Sequence, residues 1–241
     1  MDQRKLEELM KIIQESNKIV FFGGAGVSVA SNIPDFRGAN GLYNYSPEEI
    51  ISHHFFMSHT KEFYDFYFSK MVYPNALPNA CHKALKYLED KKKLLSIVTQ
   101  NIDNLHQAAG SSVVRELHGS VKRNYCMKCH KYYDISDIKL EGVPKCSCGG
   151  IIKPDVVLYE EGLDEKVINN AIKDISTCDT LIIAGTSLVV YPAASFIRFF
   201  RGKHLVIINI GETSYDNLCD LVIDGKVEEY LNIDNFKKYG I

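Results

Sequence analysis

Phe21-Phe22-Gly23-Gly24-Ala25-Gly26-Val27-Ser28 follows directly on the apolar run Ile19 to Phe22. A strand that runs into a glycine-rich turn and then a helix is the connection on which open α/β sheets are built. The helix N-terminal amides face a ligand phosphate there, and glycine lets the backbone approach a pyrophosphate closely. The dinucleotide pattern is incomplete, because a full Gly-x-Gly-x-x-Gly needs glycine at position 29, which is Val29. No clear acidic residue ends the next strand run either. Taken alone, the turn reads as a phosphate loop or as a tight strand-to-helix connection.

Working outward, Leu6, Leu9, Met10 and Ile13 recur at helical spacing, so the first 16 residues predict an amphipathic helix. Short apolar runs follow at Leu94 to Val98, Val113 to Leu117, Val156 to Tyr159, Leu181 to Ala184, Leu205 to Ile210 and Leu221 to Ile223. Several are apolar at successive positions, as strands buried on both faces of a parallel sheet are. Asp103 to Ala109, Leu163 to Ser176, a stretch entered at Tyr191-Pro192 and the tail Lys226 to Ile241 read as helices. Lys91 to Lys93 reads as a solvated helix end. This alternation predicts an α/β fold with an open, mostly parallel Rossmann-like sheet. Two segments break it and read as insertions: 38–81, rich in aromatics and histidine, and 121–153, which holds a cysteine cluster. The large domain is then assembled from 1–37, 82–120 and 154–241.

The chain has 241 residues, 46% of them hydrophobic, and 28 basic against 30 acidic side chains, net −2 with neutral histidines. That balance gives no general electrostatic reason to expect nucleic acid or anionic lipid as a partner. No apolar run approaches the roughly 18 to 20 residues that span a bilayer, and the N-terminus is not a signal segment, so a cytoplasmic monomer without a membrane partner is expected. Of seven cysteines, four crowd together as Cys126-x-x-Cys129, then 16 residues, then Cys146-Ser147-Cys148. The spacing approximates a four-thiolate zinc site, with the second pair one residue closer than usual. His130 is an alternative ligand, and redox-active cysteines are the competing reading. Cys81, Cys178 and Cys219 read as ordinary thiols.

Gly24-Ala25-Gly26-Val27-Ser28 continues into Ile33-Pro34-Asp35-Phe36-Arg37-Gly38. Then come Thr99-Gln100-Asn101-Ile102-Asp103-Asn104-Leu105-His106, His118-Gly119-Ser120 and Gly185-Thr186-Ser187-Leu188. In this order and spacing the chain resembles the sirtuins, NAD-dependent protein-lysine deacylases, from about Ile19 to Tyr230. The resemblance implies a reaction in which the acyl-lysine amide oxygen attacks the NAD ribose as nicotinamide leaves. It also implies a general base at His118, and Asn101 near the reacting carbon. Neutral imidazole is available for that role at physiological pH. NAD is implied to be held by Gly24, Ala25, Gly26, Val29, Phe36, Arg37, Gln100, Ile102, Asp103, Gly185, Thr186, Ser187, Asn209 and Lys226. Asp103 accepts from the nicotinamide carboxamide in this reading, or caps the following helix in a purely structural one.

The resemblance also implies one structural zinc per chain on Cys126, Cys129, Cys146 and Cys148, and acetylated lysine in proteins as the partner. Val156, Val157, Leu158 and Tyr159 match the segment that pairs with the substrate backbone and walls the acyl tunnel. The usual Phe-Gly-Glu is here Tyr159-Glu160-Glu161, a departure that reshapes the expected cleft. Relatives that prefer acidic acyl groups carry Tyr-x-x-Arg in the helical insertion, where this chain has Tyr64 and Tyr67. Without a guanidinium a buried carboxylate is costly, so neutral acyl groups are expected, acetyl first. Competing functions are protein mono-ADP-ribosylation, a non-catalytic NAD-responsive binding module and, more weakly, hydride transfer.

Overall fold

The computed structural model describes residues 1–34 and 46–241. The helices are α1 (Gln3–Glu15), α2 (Pro47–Ile50), α3 (His53–Ser58), α4 (Thr60–Lys70), α5 (Ala80–Asp90), α6 (Leu105–Ala108), α7 (Glu165–Thr177), α8 (Val227–Tyr230) and α9 (Ile233–Lys238). The strands are β1 (Ile19–Gly23), β2 (Leu94–Thr99), β3 (Val114–Glu116), β4 (Gly119–Cys126), β5 (Tyr132–Asp134), β6 (Ile152–Val156), β7 (Thr180–Ala184), β8 (His204–Asn209) and β9 (Leu221–Asp224).

Six strands pair in the order β3-β2-β1-β7-β8-β9, every neighbouring pair parallel. Alternate side chains leave the sheet on opposite faces, so each strand feeds two cores. Phe21, Ile97, Ile182 and Val206 meet α1, α5 and the C-terminal helices through Leu9, Leu85, Leu88 and Phe236. Val20, Phe22, Val98 and Ile183 meet α7 and the 193–199 turn through Ala171, Ile175 and Phe196. The helical periodicity of α1 is realised with Leu6, Leu9, Met10 and Ile13 buried, and Asp2 caps it by accepting from the Arg4 and Lys5 amides.

A smaller antiparallel sheet pairs in the order β5-β4-β6. Its inner residues Val121 and Val156 share one core with Phe56, Phe63, Tyr64, Phe66 and Tyr67 of the helical insertion. Burial of that much aromatic surface explains why α3 and α4, in a stretch without strand pattern, are nonetheless fixed.

Several sequence expectations are corrected. The run Val156 to Tyr159 is not a strand of the parallel sheet: β6 ends at Val156 in the small sheet, and Tyr159 makes an isolated parallel bridge to Ser52. The helix expected over Asp103 to Ala109 shortens to α6, because Asn104 sits at φ 64. The C-terminal tail is two short helices parted by extended Asn232, which caps the second. The segment after Tyr191-Pro192 is a 3-10 turn over Ala193–Phe199. Lys93 is not a solvated charge: its ammonium donates to the Ile13, Gln14 and Ser16 carbonyls, closing the C-terminal end of α1.

Candidate active site

The strand order runs away from β1 in one direction and from β7 in the other. Connections leaving their C-terminal ends therefore diverge and open a crevice, the usual ligand position in an open α/β sheet. The expected site segments follow β1 (24–26), β2 (100–103), β3 (118), β7 (185–187) and β9 (226) or end β8 (209), all at this edge.

The glycines serve the packing of these turns on one another. A Cβ on Gly24 would lie 2.7 Å from Cβ of Thr186, and one on Gly26 2.7 Å from Cα of Gly185. Gly185 itself adopts φ 58 and accepts from the Gly26 amide at 2.8 Å. The demand for glycine thus comes from a neighbouring loop, where sequence reasoning placed a phosphate. Ala25 opens a 3-10 turn over Ala25–Ser31, on which Val29 is exposed. Phe36 and Arg37 lie outside the described residues.

The residues after β2 are tied to that turn. Asn101 Nδ2 donates to the Gly24 carbonyl at 3.0 Å and to Ser28 Oγ at 3.1 Å. The Ser28 hydroxyl in turn donates to Asp103 at 2.6 Å. The other Asp103 oxygen accepts from the Leu105 amide at 2.9 Å, so the capping role is filled alongside the network. Burial raises the Asp103 carboxyl above its ordinary value, opposed by the bonds from Ser28 and Leu105. Gln100 Oε1 accepts from Thr186 Oγ1 at 3.2 Å, while its Nε2 is buried with no partner among the described residues. The Ile102 carbonyl accepts from the Val121 amide, and Ile102 packs against the aromatic core of the insertion.

His118 is half-buried between the two sheets. Its Nδ1 lies 2.9 Å from the Gln100 carbonyl, which can only accept, so Nδ1 carries the proton and Nε2 keeps its lone pair. Burial lowers its pKa below the ordinary histidine value, with the Gln100 bond opposing. The next residue, Gly119, has φ 76, and a Cβ there would lie 1.9 Å from the Asp155 carbonyl. Arg123 joins the same corner, bonding Glu116 at 2.6 Å and Asp155 at 2.7 Å. These contacts fix the turn that carries the imidazole.

Farther along the edge, Asn209 donates to the Ile210 and Gly211 carbonyls and accepts from the Gly225 amide. It lines a pocket with Ile207, Gly211, Glu212, Val222 and Asp224. Lys226 begins α8 with its side chain exposed, and Ser187 is half-buried beside Thr186. Val156 and Leu158 are buried, Val157 half-buried and Tyr159 exposed, and the Val157 amide donates to the His118 carbonyl at 3.0 Å. Tyr64 and Tyr67 lie inside the aromatic core rather than at a surface, the Tyr64 hydroxyl donating to the Ile152 carbonyl.

Cys126, Cys129, Cys146 and Cys148 place their sulfurs within 4.8 Å of one another, with pairs at 3.4 and 3.6 Å. A tetrahedral zinc with bonds of about 2.3 Å separates its sulfurs by roughly 3.8 Å, so the four thiols fit the metal, the short second spacing included. His130 stands outside the cluster, exposed, at φ 58. Amide donors lower Cys126, from Cys129 first, and bring Cys146 down to about 5, from Cys148 first. The crevice likewise fits a nicotinamide dinucleotide. Gln100 offers a buried donor without a partner among the described residues, and Asp103 a carboxylate held by hydrogen bonds.

A family model for the Sir2 family matches residues 24–192. The chain belongs to the Sir2 family. It is 57% identical, over 94% of its length and 96% of the relative's, to an NAD-dependent protein deacetylase of Clostridium acetobutylicum. A solved Sir2 structure with a p53 peptide and NAD+ covers 98% of both chains at 37% identity and TM-score 0.85. One of Sir2 bound to an acetylated peptide covers 98% of this chain and 99% of that one, at 36% identity and the same TM-score. Against this Sir2 framework, sequence reasoning missed Ser28, which it quoted as the end of a backbone motif, and the Arg123 corner beneath His118. Only the position of Ser28 within the glycine turn was there to find it by.

Proposed function

We propose that the chain is an NAD-dependent protein-lysine deacetylase that transfers the acetyl group of an acetylated lysine to ADP-ribose and releases nicotinamide. The observation that carries this reading is the imidazole of His118, oriented by the Gln100 carbonyl with Nε2 free to accept, in the crevice that also holds Gln100, Asn101 and Asp103. Bound NAD supplies a ribose carbon made electrophilic by its nicotinamide leaving group.

The chain's residues then have distinct tasks. His118 Nε2 takes a proton from a ribose hydroxyl and returns it later. Asp103 accepts from the nicotinamide amide through a remaining lone pair, and the bonds from Ser28 and Leu105 keep its carboxylate oriented. Gln100 Nε2 donates toward the ribose. Val157 to Tyr159 align the peptide alongside His118, to which Val157 is already bonded. Cys126, Cys129, Cys146 and Cys148 hold one structural zinc, whose closed thiolate sphere leaves no position for catalysis. Tyr67 is buried among Phe63, Tyr64 and Phe68, surroundings that favour neutral acyl groups over succinyl.

The test is nicotinamide release from NAD with and without an acetyl-lysine peptide, in the parent protein and His118→Ala. Peptide-dependent release that yields O-acetyl-ADP-ribose and disappears in the variant supports the reading. Peptide-independent release, or ADP-ribose retained on protein, overturns it in favour of ADP-ribosylation. Faster turnover of succinyl- than acetyl-lysine overturns the acyl preference.

A further inference from the structure

The segment after β6 joins two parts of the molecule. On one side the Val157 amide bonds the His118 carbonyl at 3.0 Å. On the other, the Tyr159 amide donates to Ile51 and the Tyr159 carbonyl accepts from His53, each at 3.0 Å. Residues 157–161 therefore form a strap between the histidine turn and α3. Its end is unusual, because Glu160 adopts φ 76, a left-handed conformation that disfavours side chains other than glycine. Glycine is what the resemblance implies there. In this chain the Glu160 carboxylate accepts from the His54 amide at 2.9 Å. Glu161 then accepts from the Leu158 amide at 2.9 Å and pairs with Lys153 at 3.1 Å and His53 at 2.9 Å.

Glu160 adds a further side-chain anchor to the strap, one that a glycine has no atoms to make. It holds a strained backbone conformation by a charge-assisted hydrogen bond to the first turn of α3, and α3 in turn is buried through Phe55 and Phe56. We propose that Glu160 is a positioning residue for the acyl-peptide: by adding a side-chain bond to α3 beside the backbone bonds of Tyr159 it stiffens the wall along which the peptide aligns, where glycine leaves that wall to the backbone bonds and Glu161 alone. A wall fixed before binding lowers the ordering cost of the peptide, so the effect falls on peptide affinity and not on the chemical step. The inference rests on the deacetylase reading for the identity of the ligand.

The experiment compares Glu160→Ala, Glu160→Gly and Glu160→Gln in the full-length chain, using an acetyl-lysine peptide. Peptide affinity is measured by calorimetry alongside peptide KM, NAD KM and kcat. Glu160→Ala keeps the strain and loses the acceptor, and weakens peptide binding by roughly three- to tenfold with kcat and NAD KM within twofold. Glu160→Gly relieves the strain and falls between Ala and parent. Glu160→Gln, whose amide oxygen still accepts from His54, stays within about twofold of the parent. Peptide affinity unchanged in Glu160→Ala, or a loss carried by kcat or NAD KM, overturns the proposal. If the parent binds the peptide without deacetylating it, the function reading fails while the ratio of affinities still decides the role of Glu160. A parent that does not bind the peptide overturns both.

Discussion

Ser28 shows how little of a site side chain's task lies in its neighbours along the chain. Its hydroxyl reaches an aspartate 75 positions away and receives the Asn101 amide, so one oxygen sets two polar residues. Ser28→Ala removes a hydrogen bond to a charged group, and kcat/KM for NAD is expected to fall at least about tenfold, with Tm lower by only a few degrees. Steady-state kinetics with varied NAD check this, and an unchanged value would detach Ser28 from the site. For His118 the sign of the pH effect follows from burial. Its pKa lies below the ordinary value of about 6.5, so the neutral, proton-accepting form persists into mildly acidic solution. The acid limb of the kcat/KM profile is accordingly expected below pH 6.5, and a limb above that value contradicts the burial argument. The identities of His118, Asn101 and Asp103 were legible in the sequence as a resemblance. Their long-range bonds were not, because these are made to residues brought close only by the parallel register of β1, β2 and β3.

Among the elements, α5 and α6 share a liability. His82 and His106 lie 4.7 Å apart between ring centroids, tilted 58° to each other, both buried, and neither His106 nitrogen has a partner among the described residues. Burial brings the His82 pKa down to about 4 and holds His106 well below its ordinary value. Because the folded pKa is depressed, the stability of the neutral pair is whole above about pH 6.5 and is lost as pH falls toward 4. For His82 alone the loss by pH 5 is on the order of 2 kcal/mol. Urea unfolding at pH 7.5 and pH 5 measures it. His106→Phe, which keeps the ring and removes the titrating group, is expected to narrow the difference between the two curves, and an equal difference would clear the pair of blame. The helix in 1–16 was legible because its apolar stripe is local. The ammonium of Lys93 on its last carbonyls was not, since a lysine beside two others reads as solvated until the tertiary fold turns it inward.

In the whole molecule, the six-stranded sheet carries two extensive cores, whereas the end of the small sheet beside the cysteines has a core of only Cys126, Cys146 and Ile152, with Tyr133, Ile138 and Cys148 against it. Metal substitutes for burial there. Stripping zinc with a chelator at neutral pH is expected to expose the amides of β4 and β5 to hydrogen exchange, leave those of β1 and β7 protected, and abolish activity through the histidine turn at the start of β4. Full activity with less than about 0.1 zinc per chain would refute the structural role. The parallel sheet was legible from its continuous apolar runs, while Val156 to Tyr159 misled because an apolar run does not reveal which sheet it joins.

The strand order has one more consequence. The first strand pairs along one edge with a strand that begins 161 residues later, Ile19 opposite Thr180. At typical rates of translation that partner leaves the ribosome roughly ten to thirty seconds after the first strand does. For that interval an apolar strand with an open edge is in the cell without its neighbour, the condition that invites pairing with another chain and that chaperones relieve. The glycine turn cannot close on its partner loop until the same moment, so no nascent chain holds a finished dinucleotide crevice before most of the protein has been made.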